Sequence, residues 1–208
     1  MPWIFGPGFD GHPKQVEMDD LRTLDVLQRA KAFKARTDEF LIRQADVFQS
    51  PEVWAPFPLA MMTCVGIEMI GAYKYGDAFA DKNDHFKKLV EDMHIGFRDC
   101  KQTPDDEYKK LSYFVFKGFR HSLAHALYGK WVFITHDSRE ANTFVYLPKE
   151  RLVVLNVYWF YKRFKEVYAE YFADLLAATD PCANPLKVFN ETFEKNFDVW
   201  VNPRNRKP

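Results

Sequence analysis

Cysteine is scarce in this chain of 208 residues. Cys64, Cys100 and Cys182 are an odd number, lie far apart and form no CxxC pair. That pattern argues against a disulfide framework and reads as reduced thiols in a cytosolic protein. Net charge is equally lacking, since 29 Lys plus Arg balance 29 Asp plus Glu. Bulk electrostatics therefore give no general pull towards nucleic acid or an acidic membrane, and a nucleic-acid site has to come from a local basic cluster. The start, Met1-Pro2-Trp3-Ile4-Phe5-Gly6, has no basic stretch ahead of an apolar one, unlike a secretory signal. The most apolar run, Phe57 to Ile67, is too short to cross a bilayer and is ended by Glu68. There is no internal repeat and no low-complexity tract. The expectation is a soluble, cytoplasmic protein with no membrane partner.

What the chain has instead is rings. Aromatics make up 17% of it, with 20 Phe and 10 Tyr, and 47% is hydrophobic. The length suits one domain with a full core. Residues 1–15 hold three Pro and three Gly and read as an irregular arm, 16–200 as a single helical domain, and 201–208 as a basic tail. Within the domain, Asp19 and Asp20 open a helical pattern that runs to about Gln49, with a break near Arg36-Thr37-Asp38, and Ser50-Pro51 closes it. Pro56 and Pro58 open a second helix over roughly 57–74, and a third covers about 82–100. Thr103-Pro104-Asp105-Asp106-Glu107 is a cap, a first-turn proline and three acids, so a fourth helix runs from there to Tyr128, where Gly129 stops it. Trp131–Thr135 and Thr143–Leu147 are β-branched and aromatic and predict a hairpin. A fifth helix over about 151–178 carries Val154, Val157, Tyr161, Phe164, Tyr168, Tyr171 and Leu175 at steps of three and four. That is a seam for packing on another helix, within the protein or across a dimer. A short last helix starts at Pro185 and ends near Trp200. The fold class is all-α: a bundle of four to six helices with a small β-hairpin before the long fifth helix.

The fourth helix carries the chemistry. On a wheel of about 100° per residue, Tyr108, Leu111, Val115, Phe116, Phe119, Leu123 and Ala126 gather on one side. Lys110, Lys117, Arg120, His121, His125 and Tyr128 gather on the other, over roughly 140° of arc. No acid follows Glu107 on this helix, so the polar face is cationic. An arginine there holds a phosphate oxygen through two parallel hydrogen bonds. A histidine titrates near neutrality and can take or give a proton. The pair suits cleavage of RNA by attack of the ribose 2′-hydroxyl on the adjacent phosphorus. That route needs no metal, because the nucleophile belongs to the substrate.

Arg120-His121-Ser122-Leu123-Ala124-His125 resembles the Arg-X(4–6)-His signature of the HEPN (higher eukaryotes and prokaryotes nucleotide-binding) superfamily, with a polar residue just after the arginine. The aromatic approach Tyr113 to Phe119, the earlier helix from Pro58 to Gly71, and the hairpin and long helix downstream resemble that superfamily over about residues 18–178. The resemblance implies an HEPN-like helical bundle and a metal-independent endoribonuclease, usually dimeric and often found in toxin–antitoxin or antiviral systems. It places Arg120 and His125 on the catalytic pair and His121 on the polar third position. Lys117, Lys110 and Tyr128 become candidate RNA contacts, and RNA, a second copy of the chain and an antitoxin protein become candidate partners. Gly66, Gly71 and Gly118 are where helices of two copies would approach closely. The tyrosine that some toxin members carry two residues after the histidine is Leu127 here, followed by Tyr128, which puts regulation by modification at that place in doubt.

Blander readings stand beside these. Arg120 and His125 also suit the dipole at the end of a helix. The runner-up function is a non-catalytic HEPN-type module that binds a nucleotide or a protein partner. His121 and His125 sit four apart on one face, as metal ligands do, yet no Glu follows His121 and no nearby Cys or acid completes a set, so no metal or cofactor is expected. Glu68 lies among Met61, Met62, Val65, Met69 and Ile70. Either it points to water or it pairs with Arg120 and orients it.

Overall fold

The structure, a computed structural model, describes residues 3–7, 13–16, 23–76, 84–95, 115, 132–139, 144–147 and 152–201. Over these residues it is mainly helical, with two small sheets. The arm expected to be irregular contains two short antiparallel strands, β1 (Trp3–Pro7) and β2 (Pro13–Val16), whose register slips between Ile4 and Pro7. Prolines that cannot donate to a ladder sit at the slipped end, Pro7 opposite Pro13.

Helix α1 (Val26–Thr37) begins on a capping box: the Asp25 side chain accepts from the Gln28 N–H, and the Gln28 side chain accepts from the Asp25 N–H. It does not stop at the break expected near Arg36-Thr37-Asp38. It continues through a π-helical turn, Asp38–Ile42, into α2 (Arg43–Gln49), and Ser50 turns extended. A π turn leaves backbone and side chains displaced from the α pattern, and here tyrosines of a later helix hold it. Tyr168 Oη donates to Asp38 at 2.5 Å. Tyr161 Oη lies 3.0 Å from the Ile42 carbonyl and 2.8 Å from Asp46, and Lys165 also reaches Asp46, at 2.7 Å.

Helix α3 (Pro56–Tyr75) has Pro at its start and a left-handed Gly76 cap, φ 75°, at its end. By length and composition it is the one described helix apolar enough to cross a membrane, but 56% of that stretch is buried inside the protein. Its neighbours are α2, α4 (Asp84–Asp92), α5 (Val157–Ala177) and α6 (Asn184–Val201). Gly66 and Gly71 are taken up by this packing. A Cβ at Gly66 would stand 2.5 Å from Phe164 Cζ and 2.9 Å from Leu41 Cδ2; one at Gly71 would stand 2.6 Å from the His85 carbonyl oxygen. The close approaches expected of these two glycines between copies are therefore made within one chain. Gly118 lies outside the described residues.

The small sheet before the long helix is present, but its pairing differs from the expected one. β3 (Val132–Thr135) and β4 (Phe144–Leu147) do not pair with each other; both flank β5 (Leu152–Asn156). β4 and β5 form the antiparallel hairpin, and β3 lies parallel to β5 on its other side. Residues 152–156 were expected to be helical. Leu152-Val153-Val154-Leu155 is a short apolar run whose β-branched pair favours a strand, and the i, i+3 step from Val154 to Val157 imitates a helical seam. Asn156, buried at the end of β5, ties this strand to the loop after β3: its amide donates to the Asp137 carbonyl at 2.7 Å and its oxygen accepts from the Asp137 N–H at 3.2 Å.

The seam of α5 packs inside the chain. Val157, Tyr161, Phe164, Tyr168, Tyr171 and Leu175 are all buried. Phe33, Tyr73 and Phe189 complete the ring core, with centroids 4.2 Å apart for Phe33–Tyr73 and 5.4 Å for Tyr73–Phe189. Offset and tilted ring pairs of this kind add to the stabilisation from buried area.

Burying so many phenols has a pH consequence. Burial raises the pKa of Tyr73 to about 12 against the usual 10.0, the Asn196 hydrogen bond opposing it. Burial first, then hydrogen bonds to Asp46 and Asp38, raises Tyr161 and Tyr168 further still. A raised folded-state pKa stabilises the protein fully below the unfolded value and loses that contribution as pH climbs through the folded one. Urea denaturation should thus show flat stability to about pH 9.5, then a fall that starts near pH 10, where the unfolded phenols ionise, and eases near pH 12, where Tyr73 ionises in the folded chain as well. Tyr161→Phe should flatten the fall. Unchanged stability from pH 9 to 12 would contradict this packing.

Candidate functional site

The segment with the motif lies almost wholly outside the described residues. Arg120, His121, His125, Lys110, Lys117 and Tyr128 are all outside them. The exception is Val115, which is fully buried, in keeping with its place on the apolar side of the wheel. Neither pairing of Arg120 with Glu68 nor the exposure of the cationic face is described.

Glu68 is described. It is half-buried on α3, and it lines a cavity of about 200 Å³ with Phe33, Met69, Ala72, Tyr73, His85 and Asn196. The expectation that left Glu68 either in water or on Arg120 did not include this hollow. Four helices line it among the described residues. α1 brings Phe33, α3 brings Glu68, Met69, Ala72 and Tyr73, α4 brings His85, and α6 brings Asn196. His85 is 3% exposed and Asn196 8%. The close contact of Gly71 with the His85 backbone is what lets α4 lie so near α3. Asn196 donates to the Tyr73 hydroxyl at 3.3 Å, and Tyr73 stacks at 4.2 Å on Phe33. Two flanking ion pairs tie the helices together: Arg29 of α1 to Glu194 of α6, and Lys74 of α3 to Asp92 of α4, where Tyr75 also donates to Asp92.

Sequence reasoning passed over Tyr73, His85 and Asn196. A signal existed for Asn196. Phe189, Phe193 and Asn196 fall at steps of four and three, so a carboxamide occupies a core position of α6. A polar group placed so needs a partner. His85 follows Asp84 at a helix start and gives no such signal.

A second hollow, of about 420 Å³, runs along the π turn and is lined by Ala35, Asp38, Glu39, Ile42, Arg43 and Asp46. Its carboxylates are engaged by Lys34, Arg43, Lys165 and the two tyrosines, so it reads as the clamp that holds α1 and α2 on α5. Among the described residues, no three His, Cys, Asp or Glu side chains converge as a metal site would require.

Comparison with family models, with curated proteins and with solved structures finds no match for this chain.

Proposed function

We propose that this chain is a metal-independent endoribonuclease of the HEPN type acting on single-stranded or looped RNA, with Arg120 and His125 as its catalytic pair. The observation that carries this reading is in the sequence: an arginine and a histidine five apart, in a stretch whose pattern predicts a helix and which holds no acid between Glu107 and Tyr128. The helical architecture, with a small sheet and the long α5 downstream of that segment, is a setting that suits the motif. In the proposed step His125 takes the proton of a ribose 2′-hydroxyl, and that oxygen attacks the neighbouring phosphorus. The bond to the 5′ oxygen breaks, the leaving oxygen takes a proton, and a cyclic phosphate remains. Arg120 holds the equatorial oxygens as charge grows on them. His121 assists, and Lys110, Lys117 and Tyr128 track the strand. A toxin or defence role, with an antitoxin protein as partner, belongs to the same proposal.

The test is cleavage of a mixed single-stranded RNA by the purified chain, with and without EDTA. The expected rate is the same in both, because no water has to be activated by a metal. Loss in EDTA with recovery on adding zinc would favour a metal bound by His121 and His125 instead.

A further inference from the structure

The cavity between α1, α3, α4 and α6 has walls with a chemistry of their own, one that no step of the reaction proposed above invokes. Most of the lining is apolar: the rings of Phe33 and Tyr73, with Met69 and Ala72. Its lining also includes residues with a carboxylate, Glu68; a carboxamide, Asn196; an imidazole, His85; and a phenol, Tyr73. A mostly apolar hollow with a few convergent polar groups is the usual make-up of a small-molecule site. Here the polar groups are set in helices, not in loops, and Tyr73, His85 and Asn196 are buried.

Size limits the occupant. A dry engineered cavity of roughly 150 Å³ admits benzene, and drug-sized ligands need about 300 Å³ or more. At about 200 Å³ this cavity takes one substituted six-membered ring. Polarity limits it further. Asn196 uses an N–H on the Tyr73 hydroxyl, and its amide keeps an oxygen as acceptor. Glu68 is acceptor-only when ionised and has about four acceptor positions, so ligand N–H groups fit beside any partner within the protein. Among the described residues the lining is rich in acceptors, includes one carboxylate and is walled by rings. It calls for a flat ring that presents two neighbouring N–H donors.

We propose that this cavity binds a small heteroaromatic ring with an amino group next to a protonated ring nitrogen, its two N–H groups paired with the Glu68 carboxylate and its face against Phe33 and Tyr73. The fork-like pairing of two N–H donors with a carboxylate gives the site its selectivity, and the aromatic wall adds attraction for the cation.

The test uses the full chain and two probes of equal size, 2-aminopyridine and aniline, followed by saturation-transfer NMR titrations. Aniline lacks the ring nitrogen and cannot form the paired contact. The expected result is saturable binding of 2-aminopyridine at least tenfold tighter than that of aniline. Glu68→Gln should remove most of that preference. Ala72→Met should fill the hollow and abolish binding of both probes, with an unchanged circular dichroism spectrum. Equal affinity for the two probes, an unaltered preference in Glu68→Gln, or no binding to folded wild type would each overturn the proposal. If Ala72→Met does not fold, the Glu68→Gln comparison decides. None of these readouts involves RNA cleavage, so this site and the Arg120–His125 reading stand or fall separately.

Discussion

Replacing His125 with Ala should cut RNA cleavage by about 10²-fold or more, the usual range for a lost acid–base group. Arg120→Ala should do the same, because charge on the phosphorane then develops without its clamp. The folded state should be nearly indifferent to both changes, since the sequence pattern predicts a helix with both residues on its polar side. There is one exception. If Glu68 pairs with Arg120, the arginine variant should also lose roughly 1–3 kcal/mol, from a carboxylate left without its donor. The scaffold reading expects something else: no cleavage by the wild type above background, and earlier melting of both variants. Kinetics and thermal denaturation measured on the same samples separate the two. A wild type that leaves varied RNAs intact, with a normal fold and no toxicity on expression, would remove the support for the nuclease.

The largest stability effect is expected at the crossing of α3 and α5. Phe164 is fully buried and lies over Gly66. Phe164→Ala should cost about 3–5 kcal/mol, the range for a deleted core ring. Gly66→Ala should also destabilise, by roughly 1–3 kcal/mol, because its new methyl would meet Phe164 and Leu41, a clash that the gain of about 1 kcal/mol in helix propensity offsets only in part. The two changes should not add. With the ring gone, the methyl at position 66 loses its two tightest contacts and Leu41 has space to turn aside, so the double variant should be more stable than the sum of the singles by about 1 kcal/mol or more. Urea denaturation of all four proteins gives this directly. Strict additivity would mean that Gly66 and Phe164 do not meet.

How far the sequence was legible depended on how local each signal was. Pro56 and Pro58 mark the start of α3 because proline acts on its own backbone, whereas the left-handed Gly76 that ends it was passed over. The α5 seam was legible because apolar steps of three and four, kept up from Val157 to Leu175, line one face of a helix and of no strand. That its partner is within the chain follows only from the packing. The π turn was legible as a break near Asp38 but not as a turn, because what holds it is Tyr161 and Tyr168, more than a hundred residues away. β5 was missed for the same reason. Leu152–Leu155 fits a helix or a strand locally, and the choice is made by β3 and β4 on its two sides. The cavity was illegible for a stronger version of that reason, since four helices contribute to it and only Glu68 was odd enough on its own helix to be noticed. The catalytic candidates are the reverse case. They were legible as a spacing and a wheel, and they lie outside the described residues.

The measurement that reaches the central claim most directly is the chemistry of the cut ends. Purified chain is incubated with an end-labelled RNA in EDTA, and the product termini are identified by mass spectrometry and by their response to polynucleotide kinase. Attack by the substrate's own 2′-hydroxyl leaves a 2′,3′-cyclic phosphate on one fragment and a 5′-hydroxyl on the other, and both should disappear in the His125→Ala variant. Products with 5′-phosphate and 3′-hydroxyl ends would mean that water, not the ribose, is the nucleophile, and would contradict the account.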